Sequence, residues 1–316
     1  MENQVALGID IGGTNTVYGL VSEEGQILYH HEIPTEGYNP AIGLTKRIES
    51  RIQEILNKDS QLILSGIGVG APNGNHFTGM IQDPPNLSWG NVDIVNLFKD
   101  RFRSDVVLTN DANAAALGEK YYGCAKEMND FIVITLGTGL GSGIFSGGNL
   151  LYGYDGFAGE MGHMPIEDNG RECNCGNRGC LEAYASASGI KKTIKIFLKD
   201  NPDDALLQSL DSNNLDGFLI DSEYDKGNPM AKKIYSFTGE KLGQGLAQAA
   251  TLLSPEAFIF YGGFSNAGNR ILDFAKISMD RHLINGQAGH IELMGSGLPQ
   301  GQAGILGAAS LIWSSM

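Results

Sequence analysis

Ile9-Asp10-Ile11-Gly12-Gly13-Thr14-Asn15 and, 125 residues further on, Ile134-Thr135-Leu136-Gly137-Thr138-Gly139-Leu140-Gly141 decide the fold. Each is an apolar run that breaks into a glycine/threonine turn and resumes as a second apolar run, at 16–21 in the first copy and through Ile144 and Phe145 in the second. Short Val/Ile-rich runs punctuated by glycine read as antiparallel strands. A strand, turn, strand unit that recurs at domain-sized separation predicts two related α/β domains facing one another across a cleft.

Around the first copy, strands are expected at 5–11, 16–21 and 26–33, then a helix at 40–57 with Ile42, Ile48, Ile52, Ile55 and Leu56 on one broad face. A buried strand at 62–69 ends at Gly70-Ala71-Pro72-Asn73-Gly74, followed by a helix at about 92–102 and a strand at 106–109. The second copy pairs 131–136 with the run after its turn. Beyond it lie helices at 191–199 and 228–253, and a strand at 257–261 that runs into Gly262-Gly263, a glycine turn opening a helix. The expected division is an N-terminal domain of residues 1–110 and a larger domain of residues 111–302. The last helix, within 303–316, packs back on the N-terminal unit.

Composition narrows the function. The 316 residues carry 42% apolar and 18% charged side chains and a net charge of −14. That charge repels nucleic acid, and with a strand already under way by Val5 no helix-turn-helix is expected upstream. No apolar run approaches the roughly 20 residues needed to span a bilayer, so neither membrane nor nucleic acid is an expected partner. The 44 glycines fall at strand-to-turn junctions, where backbone approaches a ligand.

Three glycine turns, at Gly12-Gly13-Thr14-Asn15, Gly137-Thr138-Gly139 and Gly262-Gly263, leave strands with backbone donors free, an arrangement that cradles phosphates. None is a Gly-x4-Gly-Lys-Ser/Thr loop, and the first returns into a strand, unlike a dinucleotide fingerprint. Asp10 is an acid inside an apolar strand. It either caps its turn or holds, through water, a magnesium ion on a nucleotide. Asn110-Asp111 follows a strand and opens an alanine-rich helix. The acid there is a helix cap, contributing about 1 kcal/mol, or a base placed at a strand's carboxyl end to deprotonate a hydroxyl, the reading favoured here.

The remaining motif is Glu160-x-x-His163 followed by Cys173-x-Cys175 and Cys180-Leu-Glu182. Three thiolates and an imidazole form a closed tetrahedral set for zinc, with no open position for a reactive water, so the ion is expected to be structural. A disulfide is the bland alternative. Because Met-Glu-Asn-Gln leads straight into a strand, no secretory signal is read, and a reducing, cytoplasmic compartment favours metal. Glu160 and Glu182 are poor neighbours for thiolates and are expected to point away from the ion, toward a polar ligand.

Taken with Gly70-Ala71-Pro72, Asn110-Asp111-Ala112-Asn113 and Gly159-Glu160-x-Gly162-His163, these motifs resemble the ROK family (repressor, ORF, kinase) of bacterial sugar kinases, its glucokinases above all. The resemblance runs from residue 5 to the C-terminus. It implies an actin-like (ribonuclease H-like) fold, with hexose and ATP in the cleft and magnesium accompanying ATP. It further implies that Asp111 is the catalytic base, that Asn86, Asn110, Asp111, Glu160, His163 and Glu182 hold the sugar, and that Asp10 and the three glycine turns bind the nucleotide. His163, Cys173, Cys175 and Cys180 are expected to hold zinc, and the resemblance implies a homodimer. Glucose is the expected substrate. Kinases for N-acetylglucosamine, N-acetylmannosamine, mannose or fructose would use the same acids, polyphosphate is the alternative donor, and a sugar sensor without turnover is the non-enzymatic alternative. The chain departs from the family pattern at Asn73-Gly74-Asn75-His76, where a glycine is expected directly after Pro72.

Overall fold

A computed structural model describes residues 3–84, 87–210, 216–299 and 301–314, with the side chain of Phe264 also outside the description. The two quoted segments form the central hairpins of two five-stranded sheets. In the first half, β1 (Asn3–Ile11), β2 (Asn15–Ser22) and β3 (Ile27–Pro34) form the meander, followed by α1 (Ala41–Lys58), β4 (Leu62–Gly70), α2 (Ile94–Phe102), β5 (Val106–Thr109) and α3 (Asp111–Tyr121). The second half begins with β6 (Phe131–Leu136), β7 (Leu140–Ser146) and β8 (Asn149–Leu150). A long excursion then contains α4 (Glu182–Ala185), α5 (Ala187–Asp200), α6 (Ala205–Ser209), α7 (Gly217–Asp225) and α8 (Pro229–Leu253). The half closes with β9 (Ala257–Tyr261), α9 (Asn269–His282), β10 (Glu292–Gly295) and α10 (Ala303–Trp313).

The sheet orders are β3-β2-β1-β4-β5 and β8-β7-β6-β9-β10, the same topology strand for strand. Each opens with antiparallel pairs and continues with parallel ones: β1 runs antiparallel to β2 and parallel to β4, as β6 does to β7 and β9. Parallel neighbours require crossovers, which α1, α2, α8 and α9 supply. The registers correspond as well. Asp10 pairs with Gly70 at the end of β4, and Thr135 pairs with Tyr261 at the end of β9. This is the two-unit α/β arrangement expected from the repeat.

One core lies between the first sheet and α1 and α2, around Ile48, Ile52, Ile67, Val69 and Phe98. A second surrounds Ile132, Ile134, Leu242, Leu246 and Phe258. Each such fully buried side chain contributes about 1.5–3 kcal/mol, more than a helix cap, so patterning rather than capping sets these layers. In α1 the buried positions are Ala41, Leu44, Thr45, Ile48 and Ile52, whereas Ile42 is exposed, because positions 41, 44, 48 and 52 share a helical stripe that excludes 42. Two other boundaries differ from expectation. Val92 bridges to Ile81, and Asp93 then caps α2 by accepting from the Asn96 N–H; α5 begins at Ala187 because Ser186 accepts from Gly189. The turn after β9 enters a 3-10 segment, Gly263–Ala267, before α9. α3 and α10 occupy equivalent places in the two halves and pack on each other, and α10 also covers β1, β2 and β4. Among the described residues no helix is long and apolar enough to cross a membrane.

Candidate active site

The parallel strands β1, β4 and β5 bring Asp10, Gly70 and Asn110-Asp111 to one edge of the first sheet, the carboxyl edge where open α/β sheets hold ligands. The helix cap proves to be Asn110, whose Oδ1 accepts from the Asn113 N–H at 2.8 Å. Asp111 is the first residue of α3, and its Oδ1 accepts from the neighbouring Ala112 N–H, at 2.9 Å. A carboxylate released from capping can meet a substrate. Asp111 is exposed at the surface yet densely surrounded by protein, and this crowding moves its carboxyl above the usual range against the pull of its backbone donors. Asp10 is pushed up to about 7, first by burial and then by the nearby Asp111 charge.

The glycine turns surround this edge. Thr35, buried beneath the first turn, donates to the Gly12 carbonyl at 2.7 Å and meets Thr16 at 2.8 Å, which fixes the backbone while Thr14 and Asn15 stay exposed. The Asn15 amide is engaged by Glu32 at 2.5 Å, so this turn offers its backbone and Thr14. Gly137 and Thr138 are likewise exposed, and their carbonyls accept from Ala187 and Ser188 at the start of α5. Gly262, at φ 108, lies against the backbone of Leu136, which places the second and third turns side by side. Asp10 is close enough to Tyr261, just before the third turn, to help raise its phenol.

His163, Cys173, Cys175 and Cys180 converge. Their candidate ligand atoms all lie within 4.8 Å of one another. The Cys175 and Cys180 sulfurs are 3.7 Å apart, and the Cys173 sulfur is 3.7 Å from His163 Nδ1. A tetrahedron with metal–sulfur bonds of about 2.3 Å has edges of about 3.8 Å, so the spacing fits zinc, whereas a disulfide needs about 2.05 Å. Burial, then the neighbouring thiols, hold the Cys180 thiol up at about 12, so three thiolates gather here only around a cation that offsets their charge. Cys124, the remaining cysteine, lies apart beside Glu119.

His163 directs Nδ1 to the cysteines and Nε2 toward Glu160, 3.8 Å away. Burial raises the Glu160 carboxyl, His163 opposes this, and Asp111 and Glu182 add to it, so the three acids feel one another across one space. Glu182 corrects the expectation that it points clear of the cysteines: its Oε1 stands 3.8 Å from the Cys173 sulfur. Its Oε2 accepts from the Leu140 N–H at 2.9 Å, and a side chain at Gly139 would collide with it. The second glycine turn therefore anchors a residue of the acidic cluster. Asn86 lies outside the described residues.

A model of the ROK family matches residues 6–314. The chain belongs to the ROK family. It is 35% identical to a glucokinase of Streptomyces coelicolor over 311 residues, 97% of each chain. A crystal structure of a ROK glucokinase from Streptomyces griseus with glucose and AMPPNP superposes with a TM-score of 0.81 at 34% identity, covering 97% of this chain and 98% of that one. The xylose repressor of Bacillus spizizenii is 29% identical across 97% of this chain and 76% of its own length. The fold is thus the actin-like fold of ROK sugar kinases, as the resemblance implied.

Sequence reading missed three supports of this ROK site. Ser142 on β7 donates to the Gly159 carbonyl and so steadies the residue before Glu160. Glu119 on α3 is 1% exposed and accepts from Cys124, Ser296 and Gly297, tying α3 to the segment after β10. Asn75, inside the segment that departs from the family pattern, is equally buried. The contacts that tie them to the site, Ser142 to Gly159, Glu119 to Ser296 and Gly297, and Asn75 to Asp155, join residues distant in sequence, and no local pattern marks them.

Proposed function

We propose that this ROK protein transfers the γ-phosphoryl group of ATP to a hexose hydroxyl, with glucose as substrate and glucose 6-phosphate as product. The observation that carries the reading is Asp111, released from capping by Asn110 and held at raised proton affinity opposite Glu160. Phosphoryl transfer asks the protein mainly for positioning and charge stabilisation, with a base for the attacking oxygen. Asp111 accepts the hydroxyl proton. Asn110 retains its amide N–H donors for the sugar, and Glu160, His163 and Glu182 hold the other hydroxyls. The backbone of the turns at Gly12-Gly13-Thr14-Asn15, Gly137-Thr138-Gly139 and Gly262-Gly263 receives the nucleotide. Magnesium, bound with ATP, supplies charge neutralisation at the phosphates, and Asp10 reaches it through water.

His163, Cys173, Cys175 and Cys180 hold zinc, which fixes the His163 ring so that Nε2 faces the substrate. Reduced thiols for that site accord with a cytoplasmic protein. Residues 1–110 with 303–316 form one wall of the cleft and 111–302 the other, in a homodimer whose mass light scattering would report. Likeness to a xylose repressor favours one other reading, a sugar sensor without turnover, which has no use for a poised base at 111. A coupled ADP-release assay over glucose, mannose, fructose and the N-acetylhexosamines decides. Glucose is expected to give the highest kcat/KM, and sugar binding without ADP release would establish the sensor.

A further inference from the structure

Two loops that leave different sheets are fastened together beside the proposed base. Residues 71–82 follow β4; residues 151–159 follow β8 and lead into Glu160. Asn75 is 2% exposed, and both ends of its amide are engaged. Nδ2 donates to the Asp155 carbonyl at 2.7 Å and to Gln82 Oε1 at 3.5 Å, while Oδ1 accepts from the Phe77 and Thr78 N–H groups at 3.0 and 3.2 Å. Gly156 has φ 88, and a Cβ there would stand 2.9 Å from Asn75 Nδ2, so glycine is what lets the loops meet.

Beside this bond, His76 stacks on Tyr152 with ring centroids 4.1 Å apart and planes 13° from parallel. The other face of the contact is β5. His76 Nδ1 lies 3.2 Å from the Leu108 carbonyl. Leu108 and Thr109 immediately precede Asn110-Asp111. A continuous series of contacts therefore runs from the strand end that carries Asp111, through His76 and Tyr152, to the loop that delivers Glu160.

We infer that Asn75, His76 and Tyr152 form a strap that positions the sugar site by fixing Glu160 relative to Asp111. The inference rests on the hexose-kinase reading above, and the strap itself holds no substrate. Its importance follows from reaction geometry: a misplacement of about 1 Å between reacting groups costs on the order of 10²-fold in rate.

The test uses the full-length protein with Asn75→Ala, His76→Ala and His76→Phe, read by steady-state kinetics, glucose calorimetry and amide hydrogen exchange. Asn75→Ala is expected to raise the KM for glucose about tenfold or more while the KM for ATP stays within about twofold. Exchange should quicken at 71–82 and 151–160 and not in α8. His76→Phe, which keeps the stack but loses the contact with the Leu108 carbonyl, should raise the glucose KM less than His76→Ala, and His76→Ala should resemble Asn75→Ala. Unchanged glucose KM and unchanged exchange at 151–160 in Asn75→Ala would overturn the strap, as would equal rises in both KM values. A wild type that binds glucose without releasing ADP would sink the kinase reading alone, and calorimetric glucose affinity of the variants would then decide the strap. A wild type that does neither overturns both.

Discussion

Where β1 carries Asp10 opposite Gly70, β6 carries Thr135 opposite Tyr261, and where the helix after β5 opens Asn110-Asp111, the helix after β10 opens Gln302-Ala303. The two halves share strand order, direction and register, yet the acids stand at strand ends of the first half only. α3 has a side-chain cap and α10 has none. The second half supplies its acids differently, from the excursion between β8 and β9 that holds Glu160, the thiol cluster and Glu182. The frame is thus symmetric while the candidate groups are placed on it asymmetrically: Asp10 and Asp111 at strand ends of the first sheet, Glu160 and Glu182 in the excursion of the second half. Cleft closure needs both walls, while proton transfer needs one poised carboxylate.

The sharpest way to break this contrast is Asp111→Asn. Turnover should fall by about 10² to 10⁴ while calorimetric sugar affinity is kept. A variant with more than a tenth of wild-type kcat would show that the first half does not supply the base. Next in size is Cys175→Ser. About one zinc per chain is expected in the wild type by elemental analysis, and the variant should lose both metal and sugar affinity while free zinc fails to replace magnesium. Normal glucose KM in metal-free protein would refute the role given to the excursion. Glu160→Gln should raise the sugar KM about tenfold and leave the ATP KM nearly unchanged, separating the acidic cluster from the glycine turns by ligand. Equal rises would assign Glu160 to domain closure instead.

The smallest effect concerns stability. Asp10 is raised from 3.8 to about 7, so its protonated form favours the fold. That contribution is full below about pH 4 and is lost as pH rises through about 7. Asp10→Asn should therefore raise Tm relative to wild type more at pH 8 than at pH 5, by differential scanning fluorimetry. A gap that is constant with pH would remove the burial argument. The matching change at Thr135, to Asn, should show no such pH dependence.

Much of the frame was legible because its signals are local. The hairpins announce themselves through glycine-broken apolar runs, and the tetrad through close spacing of thiols and an imidazole. Other features needed space. That Asn110 rather than Asp111 caps α3 depends on where the helix begins, a one-residue question that composition does not resolve. Glu182 reads as an acid aimed at a ligand, but its contact with Cys173 and its anchoring on Leu140 depend on how the second turn folds over the cluster. Asn75 looks like an ordinary loop asparagine until the loop 80 residues away is brought beside it.

By itself, then, the order of residues determined two α/β halves, their glycine turns and the set of candidate ligands, since strand periodicity, turn chemistry and short ligand spacings are written within a few residues of one another. Which acids share a space, which amide is free and which loops are fastened across the cleft were decided by tertiary structure alone. These depend on how two separately folded sheets are brought to face each other, and burial and electrostatic coupling act between neighbours in space whatever their distance along the chain.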